Sequence, residues 1–172
     1  MKPLITLLIS VLVTYSSYSQ ALKQYPIGNS GCSASFYCDP GTFEHTQNQY
    51  SKDVYSGKCS EGGMRFGLIC FKLKKRIKNM EKGEEFLMAY LDSLKSTFDV
   101  ISASGYGKGQ RLRSVQDTRG VLDYWKTKNH ETLKIKCWTD GKYIGFMYVA
   151  ANNFPNEYYA DAFLSGLLFP GM

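Results

Sequence analysis

The side chains best suited to nucleophilic, redox or metal chemistry are five cysteines, Cys32, Cys38, Cys59, Cys70 and Cys137, and two histidines, His45 and His130. Their spacing argues against most such chemistry. Neither histidine belongs to an HxxxH pair and no two cysteines form CxxC, so zinc-type ligand spacing is absent and no metal site is expected. No cysteine lies in a local nucleophile signature, and the GxSxG string of many serine hydrolases is missing. Gly105-Tyr106-Gly107-Lys108-Gly109 is glycine-rich but lacks the Gly-Lys-Ser/Thr ending of a phosphate loop, and reads as a strand connection. His45 follows Glu44, and His130 lies in the turn Lys128-Asn129-His130-Glu131; both read as exposed loop histidines. Asp117, Asp123, Glu131 and Asp140 lie near expected turns, where carboxylates serve local hydrogen bonding. No motif calls for a cofactor. The catalytic alternative left is a small hydrolase that brings a histidine to a cysteine or carboxylate in a concave pocket.

The first nineteen residues set the redox context. Lys2 precedes an apolar run, Leu4 to Val13, and Ser17 and Ser19 stand at the third and first positions before Gln20. This is the layout of a secretory signal peptide. An apolar core of roughly ten residues is about half of a bilayer span. We therefore expect a signal peptide over 1–19, a mature chain from Gln20 without a transmembrane helix, and a periplasmic or extracellular location. There disulfides form, and an odd count leaves at least one thiol unpaired within a monomer, so at most two bridges are expected. A bridge between Cys32 and Cys38 is favoured, because both lie in a Gly/Ser/Pro-rich opening. The competing case joins Cys38 or Cys59 to a strand cysteine. Cys70 and Cys137 fall at apolar strand positions and are expected to be buried and to resist alkylation.

One dense charge run remains: Lys72, Lys74, Lys75, Arg76 and Lys78, with Lys82 beyond. Such a run suits a solvated strand edge, where lysines discourage sheet-to-sheet pairing. It also suits a contact patch for an anionic partner. The formal net charge of +6 falls by one unit when Lys2 leaves with the leader. That balance fits acidic proteins, anionic glycans or lipid headgroups; export argues against nucleic acid.

The elements that must position these residues follow from periodicity. A lead-in covers 20–31 and a single domain 32–172, enough chain for one core. Ser33–Cys38 is a short strand. Val54–Lys58 and Met64–Leu73 form a hairpin around Glu61-Gly62-Gly63. Leu87, Tyr90, Leu91, Leu94 and Phe98 recur at helical spacing, predicting a helix over Glu84–Phe98. Strands follow over Asp99–Tyr106, Arg111–Asp117 and Val121–Lys126. Leu133, Ile135 and Cys137 alternate with Lys134, Lys136 and Trp138, as in a strand with one buried and one partly wet face. Asp140-Gly141 marks a hairpin turn to Lys142–Ala150, and a last helix starts near Pro155. The expected class is α+β: an antiparallel sheet covered by helices.

Three strings carry a resemblance: 119–125 (RGVLDYW), 133–142 (LKIKCWTDGK) and 163–170 (FLSGLLFP). They resemble the central hairpins and closing helix of the PsbP-like fold family, which includes photosystem II PsbP, bacterial DcrB-like and Ran-binding Mog proteins. The resemblance implies a PsbP-like sandwich and, since members are mostly accessory, adaptor or binding proteins, a non-catalytic role; it transfers no functional residue. The expectation is an exported accessory or binding protein of the cell envelope, an immunity or adaptor protein being a specific case, with a protein partner. The alternatives are the small secreted hydrolase and a binder of anionic lipid or glycan.

Overall fold

The computed structural model describes residues 21–153 and 157–172. The leader, the cleavage position before Gln20 and Pro155 lie outside the described residues. In chain order the strands are β1 (Lys23–Pro26), β2 (Ser33–Phe36), β3 (Glu44–Thr46), β4 (Val54–Glu61) and β5 (Met64–Lys72). Helix α1 (Met80–Leu94) follows, then β6 (Val100–Ala103), β7 (Gly107–Gln110), β8 (Arg119–Thr127), β9 (Thr132–Thr139) and β10 (Tyr143–Ala151). Helix α2 (Glu157–Leu164) and the short β11 (Leu167–Leu168) close the chain. The class is α+β. An eight-stranded sheet runs β3-β4-β5-β10-β9-β8-β6, with β7 also on β8, and a three-stranded sheet runs β1-β2-β11. The paired strands of both sheets are antiparallel.

The large sheet is buried on both faces at its centre, and every residue of β10 is buried. On one face Leu87, Tyr90 and Leu91 of α1 meet Phe71, Trp125, Ile135 and Phe146. On the other, the small sheet and α2 bring Ala34, Phe36, Phe163 and Leu167 onto Phe66, Leu68, Trp138 and Met147. Cys70 and Cys137 are both fully buried, but on opposite faces. The alternation in β9 carries no wet face: Leu133, Ile135 and Cys137 face α1, whereas Lys134, only 2% exposed, is covered by α2.

Several expected elements shift. Helix α1 begins at Met80, because Asn79 caps it; its Oδ1 accepts from the amides of Glu81 and Lys82 at 2.8 and 3.2 Å. The helix stops at Leu94, yet Phe98 still packs on Trp125 and Tyr148 with centroids 5.8 and 5.2 Å away. The segment expected as a strand over Arg111–Asp117 is instead a 3-10 turn at Leu112–Ser114, tied by Leu112 N donating to Thr118 Oγ1 at 2.9 Å. The opening segment contributes β1 and a fully buried Ile27.

The expected Cys32–Cys38 bridge is corrected. Cys38 is bonded to Cys59, with Cα atoms 5.8 Å apart, and Cys32 is a buried thiol. Ser33–Phe36 is held as a ladder strand between β1 and β11, so its two ends point in opposite directions and part Cys32 from Cys38. Cys59 lies in β4, which runs to Glu61, beyond the expected end at Lys58.

A basic groove and a histidine cleft at one end of the sheet

The charge run follows β5 and leads into α1. Its position is fixed by the β9–β10 turn: Leu73 N donates to Lys142 O at 2.8 Å and Ile77 N to Gly141 O at 2.7 Å. Gly141 sits at φ +81°, and a Cβ there would lie 2.2 Å from the Ile77 carbonyl oxygen. Only glycine permits both the left-handed turn and this close approach. The hairpin signal at Asp140-Gly141 thus also fixes the basic segment.

The segment does not form one flat patch. Lys74, Lys75 and Arg76 border a groove of about 390 Å³ whose walls are Tyr50, Leu73, Ile77 and Phe86. The floor is aromatic. Tyr50 meets Phe86 edge-on at 5.1 Å and stacks along Phe71 at 6.3 Å, with Tyr90 behind both. Lys74 Nζ donates to Gln49 O at 3.0 Å and its amide to Tyr50 O at 3.2 Å, so it pins the loop that carries Tyr50. Lys75 and Arg76 are exposed. Among the described residues no salt bridge involves Lys72, Lys74, Lys75, Arg76 or Lys78. Lys78 lies with Arg76 beside Asp117 and Asp140 in a neighbouring depression of about 320 Å³. Lys78 and Lys82 flank the start of α1, where the helix dipole favours anions.

Lys72 turns to the other face, as strand alternation requires. There it lines a cleft of about 580 Å³ with His45, Asp53, Tyr55, Tyr143 and the 28–30 turn. His45 stacks on Tyr55 with centroids 4.9 Å apart, and its Nε2 lies 3.1 Å from Asp53 Oδ1. His45 is therefore a β3 residue with a carboxylate partner, not a loop histidine. The expected loop placement was wrong because β3 pairs with β4 over only three residues, too short a run to show alternation. His130 does occupy a turn, at φ +61°. Side chains of His45 and Asp53 are 54% and 64% exposed.

Other polar residues serve the fold. Asp123, expected near a turn, is wholly buried in β8 and accepts from Trp125 Nε1 at 2.7 Å and Tyr124 N at 2.8 Å. Burial raises the Cys137 thiol well above its ordinary value, which suits an inert core cysteine. No group of three or more His, Cys, Asp or Glu is placed to hold a metal ion among the described residues. No helix among them is long and apolar enough to cross a membrane.

The groove could not be read from the charge run alone. Its walls come from the 48–50 loop, the end of β5 and α1, which are distant in sequence. Comparison with protein-family models and with curated proteins finds no match to this chain.

Proposed function

We propose that the protein is an exported, non-catalytic binding protein of the cell envelope, acting as an adaptor or immunity protein, and that it holds an acidic protein partner in the Tyr50–Phe86 groove. The carrying observation is the groove itself: an apolar aromatic floor bordered by Lys74, Lys75 and Arg76, none of them in a salt bridge with a described carboxylate. Aromatic floors with cationic rims suit partners that bring an apolar anchor flanked by carboxylates. The leader layout and the Cys38–Cys59 bridge support export. The PsbP-like resemblance, and with it a PsbP-like sandwich, supports an accessory role. The intact mass of the exported protein tests the leader, with a start at Gln20 expected.

The binding test passes envelope extract over the immobilised protein. An acidic protein should be retained at low salt by the wild type, released by high salt, and lost when Lys74, Lys75 and Arg76 are all changed to glutamate. Equal retention by the triple variant overturns the site. Retention of heparin or anionic vesicles, with no protein, moves the reading to an anionic glycan or lipid.

The His45–Asp53 pair supports a second reading, a small hydrolase working in the Lys72–Tyr143 cleft. Turnover of a defined ester or glycoside, lost in a folded His45→Ala variant, would establish it and displace the non-catalytic reading.

A further inference from the structure

Three cysteines remain thiols in this structure, Cys32, Cys70 and Cys137, and all are buried. Cys137 lies on the α1 face, away from the other two. Cys32 and Cys70 share the core between the two sheets. The strand register explains why they meet. Cys70 stands beside Gly145 in the large sheet. Gly145 leaves room for Leu167, since a Cβ there would lie 2.3 Å from Leu167 Cδ2. Leu167 is the ladder partner of Ala34, two residues beyond Cys32. The small sheet therefore sets Cys32 over Cys70. The backbone holds it there: Ile27 N donates to Cys32 O at 2.9 Å, and Cys32 N to Ser30 Oγ at 3.0 Å.

We propose that Cys32 and Cys70 are a second disulfide site, closed on export, which ties the three-stranded sheet to β5. In the docked state each thiol is the largest influence on the other's ionisation, lowering Cys32 and raising Cys70. Before the small sheet docks, the Cys32 thiolate displaces one sulfur of a dithiol oxidant's disulfide, forming a mixed disulfide and releasing one oxidant thiolate. Cys70, giving up its proton, then attacks the Cys32 sulfur and releases the second. Two protons and two electrons leave the pair, and the oxidant departs as a dithiol. Because Cys32 is 3% exposed and Cys70 fully buried once docked, exchange precedes docking of the small sheet. The odd cysteine count then resolves into two bridges and the inert Cys137. The bond would also brace the histidine cleft. Tyr55, ladder partner of Cys70, packs against Gly28, where a Cβ would lie 2.3 Å from its ring. The proposal rests on the export reading only for the supply of oxidant.

The test refolds the full chain in glutathione and glutathione disulfide, alkylates remaining thiols under denaturing conditions, and maps chymotryptic fragments. Cleavage after Phe36 and Tyr37 separates Cys32 from Cys38. The expected map links Cys32 to Cys70 and Cys38 to Cys59, with Cys137 alone alkylated. The Cys32→Ser variant should add Cys70 as a second alkylated position. Alkylation of both Cys32 and Cys70 in the wild type, or any other partner for Cys32, overturns the proposal. Thiols at both positions in protein isolated from the envelope would overturn it likewise, whereas thiols in protein recovered only from the cytosol, with the bond present after refolding, would uphold the pairing and count against the export reading.

Discussion

Replacing Lys134 by alanine and by methionine separates two contributions of a buried ammonium. The Lys134 side chain is 3% exposed, and its Nζ lies 3.1 Å from Glu157 and 3.0 Å from Asp161, both on α2. Lys134→Ala removes the charge and three buried methylenes at about 0.8 kcal/mol each, and with an uncollapsed void the loss comes to about 4 kcal/mol. Lys134→Met keeps most of that stem and removes only the charge. Glu157 and Asp161 are 65% and 46% exposed, so water can take over their solvation, and the cost should be about 1 kcal/mol. Urea unfolding followed by tryptophan emission measures both. Trp138 reports α2 directly, because its Nε1 donates to Leu164 O at 2.7 Å. The pH profile has a defined sign. Burial pushes the Asp161 carboxyl up, but Lys134 and Lys136 outweigh it and hold the group below its ordinary value. Its contribution is therefore present above the unfolded pKa, near ~4, and lost as pH falls through the folded value. Burial pushes Lys134 down, but Asp161 and Glu157 outweigh it and raise the group. Its contribution is full below about pH 10 and lost as pH rises through the folded value. Lys134→Met should remove the Lys134 share of the alkaline limb and flatten the acid one, where Lys136 still faces Asp161. A methionine variant as unstable as the alanine variant would refute the assignment of most of the stabilisation to the buried stem.

Removing the Cys38–Cys59 bridge by paired serine substitutions opens a loop of 21 residues' separation. The chain-entropy relation gives a loss of about 3 kcal/mol, read as a drop in the urea midpoint; an unchanged midpoint would contradict it. Gly141→Ala forces a Cβ against the Ile77 carbonyl and strains a left-handed residue, at about 2 kcal/mol or more. Because that carbonyl belongs to the basic segment, the variant should also weaken partner retention while circular dichroism stays native-like; full retention would show that the turn does not set the groove.

The elements with strong local periodicity were legible in the sequence. The Leu87–Leu91 stripe, the β4–β5 hairpin and the Asp140-Gly141 turn all have residue patterns that act over a few positions. What eluded the sequence depends on contacts distant along the chain. Lys134 looks like a solvated strand residue until α2 supplies two carboxylates. Cys38 lies six residues from Cys32 yet bonds to Cys59, because the strand between them is committed to a ladder. The basic run was visible as composition, but strand alternation sends Lys72 to the histidine cleft and its successors to the groove. The aromatic floor that gives the run a shape comes from loop and helix residues that no local pattern connects.

Site-specific photo-cross-linking tests the central claim most directly. A benzophenone side chain is placed at Lys75, on the groove rim, and in a second protein at Ser60, exposed on β4 and paired with Arg65 at the end of β5 opposite the basic segment. Each protein is irradiated in envelope extract. A single prominent adduct is expected from position 75, with an acidic protein, that fades as salt is raised and is absent from position 60. Equal adducts at both positions, or an adduct at position 75 that is indifferent to salt, would contradict a basic groove that selects an acidic partner.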